Sequence, residues 1–572
     1  MSATFMQLNP FQERAVRSSG HCTILACPGS GKTRVLSERA AHLIKSHELG
    51  RLCAVTFTRD AANELRTRIL ESCGQEHIRR LGAGTFHSLA LEQLKRSSRG
   101  RPPRLMGDGE RWAVLRRCWQ EEETDVPFDD VCKLIDKAKS QPGHIAFADV
   151  SVQRIYERYS GLLHSEQVMD FSDILLNAVH GMQDGSVSPL PIRWLLVDEA
   201  QDMDAVQLEW ILNYGRKGVE VTLVGDDDQS LYSFRHALGY GGLQEASLAL
   251  SSLELTLPVN YRCAPNILGA AARLIVKNPH RAHKNIQAAK STMGVLEVQR
   301  TPTRADEVSM IAHTVAAPSE QQWAVLGRTN TILDTVELAL TKLAVGYTRV
   351  GGKSIWDRAV GSVFLGLLRS LADGSWTGVA NALVFCRVDA TWVNEHSRTS
   401  EGHYLDRLDQ ALAAPHDESR RKVLTALREG FISWATQLSK DRLPLVAEAI
   451  ADLLCGYAPT AQVPVFKALA DSFGGLRGSL PQRVDFISRG GSSKNGADLR
   501  VQLVTLHSSK GLEFDNVWIM GCEEGNLPHT DSTEEEERRL MYVGMTRAKQ
   551  RLVISSALQE GAESRFLEEA GI

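Results

Sequence analysis

The chain has 572 residues, 43% of them hydrophobic and 23% charged. At about 100–200 residues per domain, that length predicts roughly three to five domains or subdomains. The balance is that of a globular chain able to bury several cores, not of a disordered one. Basic residues number 65 and acidic residues 69, for a formal net charge of −4. A chain-wide basic field is therefore absent, and any nucleic-acid contact has to be local.

No apolar run approaches the roughly 18 residues of a membrane span. Met1 to Pro10 lacks the basic-then-apolar pattern of a signal peptide, so a cytoplasmic protein with no membrane partner is expected. The ten cysteines include no C-x-x-C pair, which counts against a zinc ribbon or an iron–sulfur cluster. A reduced state is expected for them.

Short apolar runs read as buried strands at 23–26, 53–55, 194–197 and 221–224. A second group follows at 324–326, 501–504, 517–520 and 552–554. Such runs beside helical patterns predict two α/β units with parallel sheets covered on both faces. Residues 89–171 and 373–498 carry helical patterns instead and read as insertions. The small-residue run GGSS at 490–493 reads as a joint before the last α/β stretch.

ACPGSGKT at 26–33 follows a strand and opens a helix. It has the form of a phosphate-binding loop with alanine in place of the usual first glycine. Ala26, Cys27, Pro28, Gly29, Ser30 and Gly31 would bring backbone N–H groups to phosphates at a helix N-terminus. Lys32 would reach the outer phosphates and Thr33 would hold Mg²⁺. LLVDEAQD at 195–202 ends a buried strand in two acids. Asp198 is assigned to the metal and Glu199 to the attacking water. Together these motifs predict a nucleotide hydrolase using ATP and Mg²⁺.

VTFTRDAA at 55–62, GTFHS at 84–88 and GDDDQSLYSFR at 225–235 place aromatics beside bases and small polar residues. That mixture suits single strands, because stacking supplies about 1–3 kcal/mol per base without reading sequence. Each aromatic could equally be core.

In this order the segments resemble the motifs of superfamily 1A helicases of the UvrD/Rep/PcrA type. LNPFQ at 8–12, LPVNYR at 257–262, VTLHSSKGLEF at 504–514 and EEERRLMYVGMTRAK at 535–549 extend the likeness over nearly the whole chain. The resemblance implies two RecA-like P-loop domains. Domain 1A would comprise 1–88 and 172–262, with helical insertion 1B at 89–171. Domain 2A would comprise 263–372 and 499–572, with helical insertion 2B at 373–498.

By that resemblance Gln12 reads the adenine edge, and Arg34 and Tyr261 sandwich the ring. Gln229 senses the γ-phosphate, Glu513 contacts the ribose, and Arg262 and Arg547 are arginine fingers. Arg547 lies in the other α/β unit, so it completes the site only on domain closure, and such a finger contributes about 10³–10⁵ in rate. Single-stranded DNA and its junctions with duplex are the implied track, contacted by Phe57, Thr85, His87, Tyr232, Phe234, Arg235 and His507. Phe234 stands where the family often has tryptophan, which reduces the stacking surface. Phe171 reads either as a DNA contact or as core.

Cys27 occupies a position that is usually glycine in the family. A thiol near a helix N-terminus can have a lowered pKa, though a tolerated small side chain is the plainer reading. KRSSRGRPPR at 95–104 carries five bases and no acid, as a phosphate contact or a solvated loop. The second insertion reads as shorter than in the best-known members and lacks their Gly-Ile-Gly type motif, with CRVD at 386–389 in roughly that region. No partner-recruiting tail or nuclease domain is expected after the sixth motif. The implied activity is ATP-driven translocation on single-stranded DNA with 3′→5′ unwinding. The alternative is a translocase that does not unwind alone and works with a nuclease or a repair, replication, conjugation or defence factor.

Overall fold

The computed structural model describes residues 7–98, 103–143, 146–231, 236–318, 320–414, 417–489 and 500–572. The chain divides into two compact units. The first holds residues up to Pro265 together with Ile275–Thr292, and the second holds Asn266–Leu274 and Met293–Ile572. The basic segment at 95–104 falls partly outside the described residues and the run at 490–493 wholly so.

The first unit is built on a six-stranded sheet. Its spatial order is Leu81–Thr85, Leu52–Thr56, Trp194–Val197, Glu220–Gly225, Cys22–Ala26 and Leu253–Leu257, and every pairing is parallel. Period-two alternation explains the apolar runs. Leu25, Val55, Leu195, Val197, Val221 and Leu223 pack into the core on one face. Ile24, Ala26, Ala54, Leu196 and Val224 pack into a second core on the other. A strand buried on both faces favours apolar side chains at nearly every position, so it reads as a nearly continuous apolar run.

Between the third strand in sequence and the helix Phe171–Asp184, the chain leaves this sheet. The helices Asp108–Gln120, Phe128–Lys139 and Val150–Ser165 close around Leu115, Val131, Ile135, Val152, Ile155 and Tyr159. A short parallel ladder of Arg104–Leu105 with Val168–Met169 joins the outgoing and returning chain.

The second unit repeats the theme. Its six parallel strands run in the order Val295–Thr301, Ala548–Ala557, Phe514–Ile519, Trp323–Gly327, Val501–Thr505 and Tyr347–Val350. Among the described residues, the α-helices from Thr377–Phe385 to Leu480–Ser488 share one apolar core with the helix Ala359–Asp373. Phe364, Phe431, Trp434, Phe466 and Phe473 fill that core. Among the described residues no helix is long and apolar enough to cross a membrane.

One buried cation braces the first sheet at the strand ends opposite the phosphate loop. Arg39, 1% exposed, donates Nε to Thr222 Oγ1 at 2.8 Å and Nη1 to the carbonyls of Ala15 at 2.8 Å and Ser18 at 2.7 Å. It ties the helix Pro10–Arg17, which carries Gln12, to the helix that follows the phosphate loop. Arg39→Ala strands these acceptors, each at about 1–3 kcal/mol. The expected outcome is a melting midpoint several degrees lower, with Arg39→Lys intermediate, measured by differential scanning calorimetry.

Candidate nucleotide site and nucleic-acid groove

The loop between the strand Cys22–Ala26 and the helix Lys32–Ser46 needs two residues in the left-handed region, Gly29 at φ 62° and Gly31 at φ 80°. Glycine enters that region without the Cβ penalty. Gly29 also lies against its neighbour: a Cβ there would come within 2.6 Å of Arg262 Cβ. Tyr261 N donates to the Gly29 carbonyl at 2.9 Å, and Asn260 Nδ2 to the Pro28 carbonyl at 2.6 Å. The Asn260 Oδ1 then accepts from Arg262 N at 2.9 Å.

Gln12 reaches the same loop from the first helix, donating Nε2 to the Ser30 carbonyl at 2.9 Å. Asn9, which caps that helix, donates to the Tyr261 hydroxyl at 2.7 Å. Gln12, the loop residues from Ala26 through Thr33, Tyr261 and Arg262 are thus brought together. Arg34 lies in the first turn of the helix that begins at Lys32. The glycine-bearing loop and the N-terminus of this 15-residue helix have the form of an anion site.

Lys32 Nζ lies 3.1 Å from Glu199 Oε2. Glu199 holds φ 52°, an uncommon conformation for a non-glycine residue and one that recurs at functional sites. Its N–H donates to Asp198 Oδ1 at 2.9 Å. Burial and the neighbouring Glu199 push the Asp198 carboxyl up to about 7. A buried acid beside a second acid is short of positive charge. A divalent cation held by Asp198 and the Thr33 hydroxyl fits that deficit, since hard cations take oxygen donors.

The strand Glu220–Gly225 runs between the strand ending at Ala26 and the strand ending at Val197. It delivers Gln229, whose Nε2 donates to Asp226 Oδ2 at 2.5 Å. Gln201 connects the two: Nε2 donates to Glu199 Oε2 at 2.6 Å and Oε1 accepts from Asp226 N at 2.8 Å. Sequence reasoning gave Gln201 and Asn260 no role, although both stand inside quoted motifs.

The Cys27 thiol fits the plainer of its two readings, a tolerated small side chain. Burial, with Asp226 nearby, pushes it up to about 12 instead of down. Loss of hydration outweighs the helix terminus.

Glu513 and Arg547 belong to the second unit. Arg547 is buried and donates Nε to the Val543 carbonyl at 3.0 Å and Nη1 to the Leu512 carbonyl at 3.1 Å. Glu513 pairs with Lys549 at 2.9 Å.

A groove of about 770 Å³ in the first unit is lined by Phe57, Thr85, His87 and Phe171. It opens where the strands Leu52–Thr56 and Leu81–Thr85 hand over to helices capped by Thr58 and Thr85. Phe57 packs edge-on to Phe86 with centroids 5.6 Å apart. His87 stacks on Phe171 at 4.1 Å and 17°. Phe171 is 55% exposed, so it is not core. Burial lowers the His87 imidazole to about 4, which keeps it neutral. Asp170 caps the helix that Phe171 opens and accepts from Lys139 at 2.8 Å and Tyr159 at 2.8 Å, tying the groove to the inserted helices. Tyr232, Phe234 and Arg235 lie outside the described residues. His507 belongs to the second unit, in the turn after the strand Val501–Thr505, where burial and Arg328 lower its pKa.

This architecture defines a P-loop α/β protein with a nucleotide site and an aromatic groove on one sheet. The family model of the UvrD/REP helicase N-terminal domain matches residues 8–241, and that of the UvrD-like helicase C-terminal domain matches 255–374 and 486–559. The chain is 31% identical over 624 aligned residues to the ATP-dependent DNA helicase Rep of Escherichia coli K12, covering 96% of this chain and 91% of that protein. It is 27% identical to the ATP-dependent DNA helicase PcrA of Bacillus subtilis (98% and 85%) and 28% to DNA helicase II of Haemophilus influenzae (96% and 83%). The chain belongs to the UvrD/Rep helicase family.

With its thiol at about 12, Cys27 should resist alkylation. Iodoacetamide labelling at pH 8, read by peptide mass spectrometry, is expected to be at least ~10²-fold slower at Cys27 than at a small-molecule thiol.

Proposed function

We propose that the chain is an ATP-hydrolysing DNA helicase that moves 3′→5′ on single-stranded DNA and opens its junctions with duplex. One observation carries the coupling. Asp198 N donates to the Val55 carbonyl at 2.9 Å, and Phe57 follows two residues later. The hydrolytic acids and the groove therefore share one pair of strand ends, and displacement at one is felt at the other.

In this reading Lys32 and the loop N–H groups hold the β- and γ-phosphates. Glu199 orients water and takes its proton, and Gln229 registers the γ-phosphate. Gln12, Arg34, Tyr261 and Glu513 hold the base and ribose, and Arg262 and Arg547 are the arginine fingers. Mg²⁺ on Thr33 and Asp198 would supply charge neutralisation at the phosphates. Phe57, Thr85, His87 and Phe171 line the DNA track, with Tyr232, Phe234, Arg235 and His507 as further contacts. Melting one base pair costs about 1.4 kcal/mol on average, which one cycle of ATP hydrolysis exceeds. An ATP-driven motor on DNA of this kind would work in the cytoplasm.

A second reading is a translocase that needs a partner, such as a nuclease or a repair or replication factor, to engage duplex. It is favoured by the C-terminal family match, which skips 375–485. The alignment with the Escherichia coli relative also runs to 624 positions, more than the chain's own length.

Glu199→Gln tests the hydrolytic assignment. Phosphate release with oligothymidine present is expected to fall by about 10²–10⁴-fold, with nucleotide binding retained. Unchanged release would remove Glu199 from the mechanism. The neutral His87 gives a pH test. Its folded pKa lies below the ordinary value of 6.5, so no proton is gained between pH 8 and 6. His87→Ala is therefore expected to leave the pH dependence of oligothymidine affinity between pH 8 and 6, measured at fixed salt by fluorescence anisotropy, unchanged within about threefold.

A further inference from the structure

The residues 275–292 are a strap. They pack on the first unit, while the chain on either side, 266–274 and 293 onward, belongs to the second. The strap is fastened along its length to segments flanking the nucleotide site. Arg281 donates Nε and Nη2 to the two oxygens of Asp228, both at 2.8 Å. Ala282 N donates to Asp227 Oδ2 at 2.7 Å. Gln287–Ala288 pairs in parallel with Val259–Asn260, and Lys290 Nζ donates to the Arg262 carbonyl.

At its centre stands Lys284, whose side chain is 0% exposed. Its ammonium lies 2.7 Å from Asp226 Oδ1, 2.7 Å from Asp227 Oδ1 and 2.8 Å from Asp228 Oδ2. It also donates to the Ala26 carbonyl at 3.2 Å. The three carboxylates have the spacing of a metal cluster, with ligand oxygens within 4.8 Å of one another. Lys284 already supplies the cation there. The contacts differ in consequence. Ala26 is the last residue before the phosphate loop turns. Asp226 uses its other oxygen to hold the Gln229 amide.

We propose that Lys284 is a positioning residue for ATP hydrolysis: it clamps the entrance of the phosphate loop to the Asp226 carboxylate that holds Gln229. Because both ends of the strap continue into the second unit, displacement of that unit is passed through Lys284 to Gln229. The proposal rests on the reading of Gln229 as the γ-phosphate sensor. No sequence motif marks Lys284.

Removing Lys284 alone leaves buried acids without a counter-charge and invites misfolding. The test variant is therefore Lys284→Gln combined with Asp227→Asn, which removes one charge of each sign and keeps an acceptor for Ala282 N. Thermal melting and binding of a fluorescent ATP analogue check the fold. ATP turnover is then measured with and without oligothymidine. The expected result is nucleotide affinity within about threefold of wild type and DNA-stimulated kcat at least ~10-fold lower. Adding Gln229→Ala to this variant should cost less than about a further twofold, because both changes cut one relay. Lys284→Arg, which restores the charge, should recover part of the stimulation. Losses that multiply when Gln229→Ala is added, or a raised KM with kcat unchanged, would overturn the proposal. A wild-type protein without DNA-stimulated turnover would instead overturn the hydrolase reading beneath it.

Discussion

The ion pair between Lys32 and Glu199, 3.1 Å apart, is the constraint on which the candidate site depends. It joins the first residue of the helix after the phosphate loop to the second acid after the strand Trp194–Val197. Those segments leave strands two apart in the first sheet, with the strand ending at Gly225 between them. The pair leaves Asp198, buried and raised to about 7, as the acid still wanting positive charge. The Glu199 backbone is held at φ 52°, and Gln201 donates to its carboxylate while accepting from the Asp226 backbone. Strain and hydrogen bonding together hold one carboxylate in one place, as a water-orienting group requires.

Hydrolysis and the groove are neighbours for the same reason. In a parallel sheet all strands deliver their last residues to one edge, and ligands collect there. Thr56 and Thr85 end strands of that sheet, and Phe57, His87, Asp198 and Glu199, and Asp226 to Gln229 come just after strand ends. The inserted helices reach this edge through Asp170, which holds Lys139 and Tyr159 while capping the helix of Phe171.

The strands were legible because burial on both faces leaves apolar runs such as those at 194–197 and 221–224, now in the cores on either side of the sheet. The phosphate loop was legible because its geometry demands glycine at 29 and 31. Lys284 was not. It lies 58 residues from Asp226, and a buried lysine looks like any solvated one until tertiary packing surrounds it with acids. For Cys27 the sequence left a lowered pKa open beside the plainer small-side-chain reading: helix position is visible in a sequence, but the burial that dominates its titration is not. For Phe171 sequence could not choose between core and surface. Its exposure and its stack on His87 favour a surface that can hold a base.

The most direct test is strand separation by the purified protein on duplexes carrying a 3′ or a 5′ single-stranded tail, with ATP and Mg²⁺. An autonomous 3′→5′ helicase separates the 3′-tailed duplex alone, and only while ATP is hydrolysed. Separation from the 5′ tail alone, or no separation with no DNA-stimulated hydrolysis, would contradict that account. Strong hydrolysis without separation would transfer the unwinding role to a partner and select the second reading.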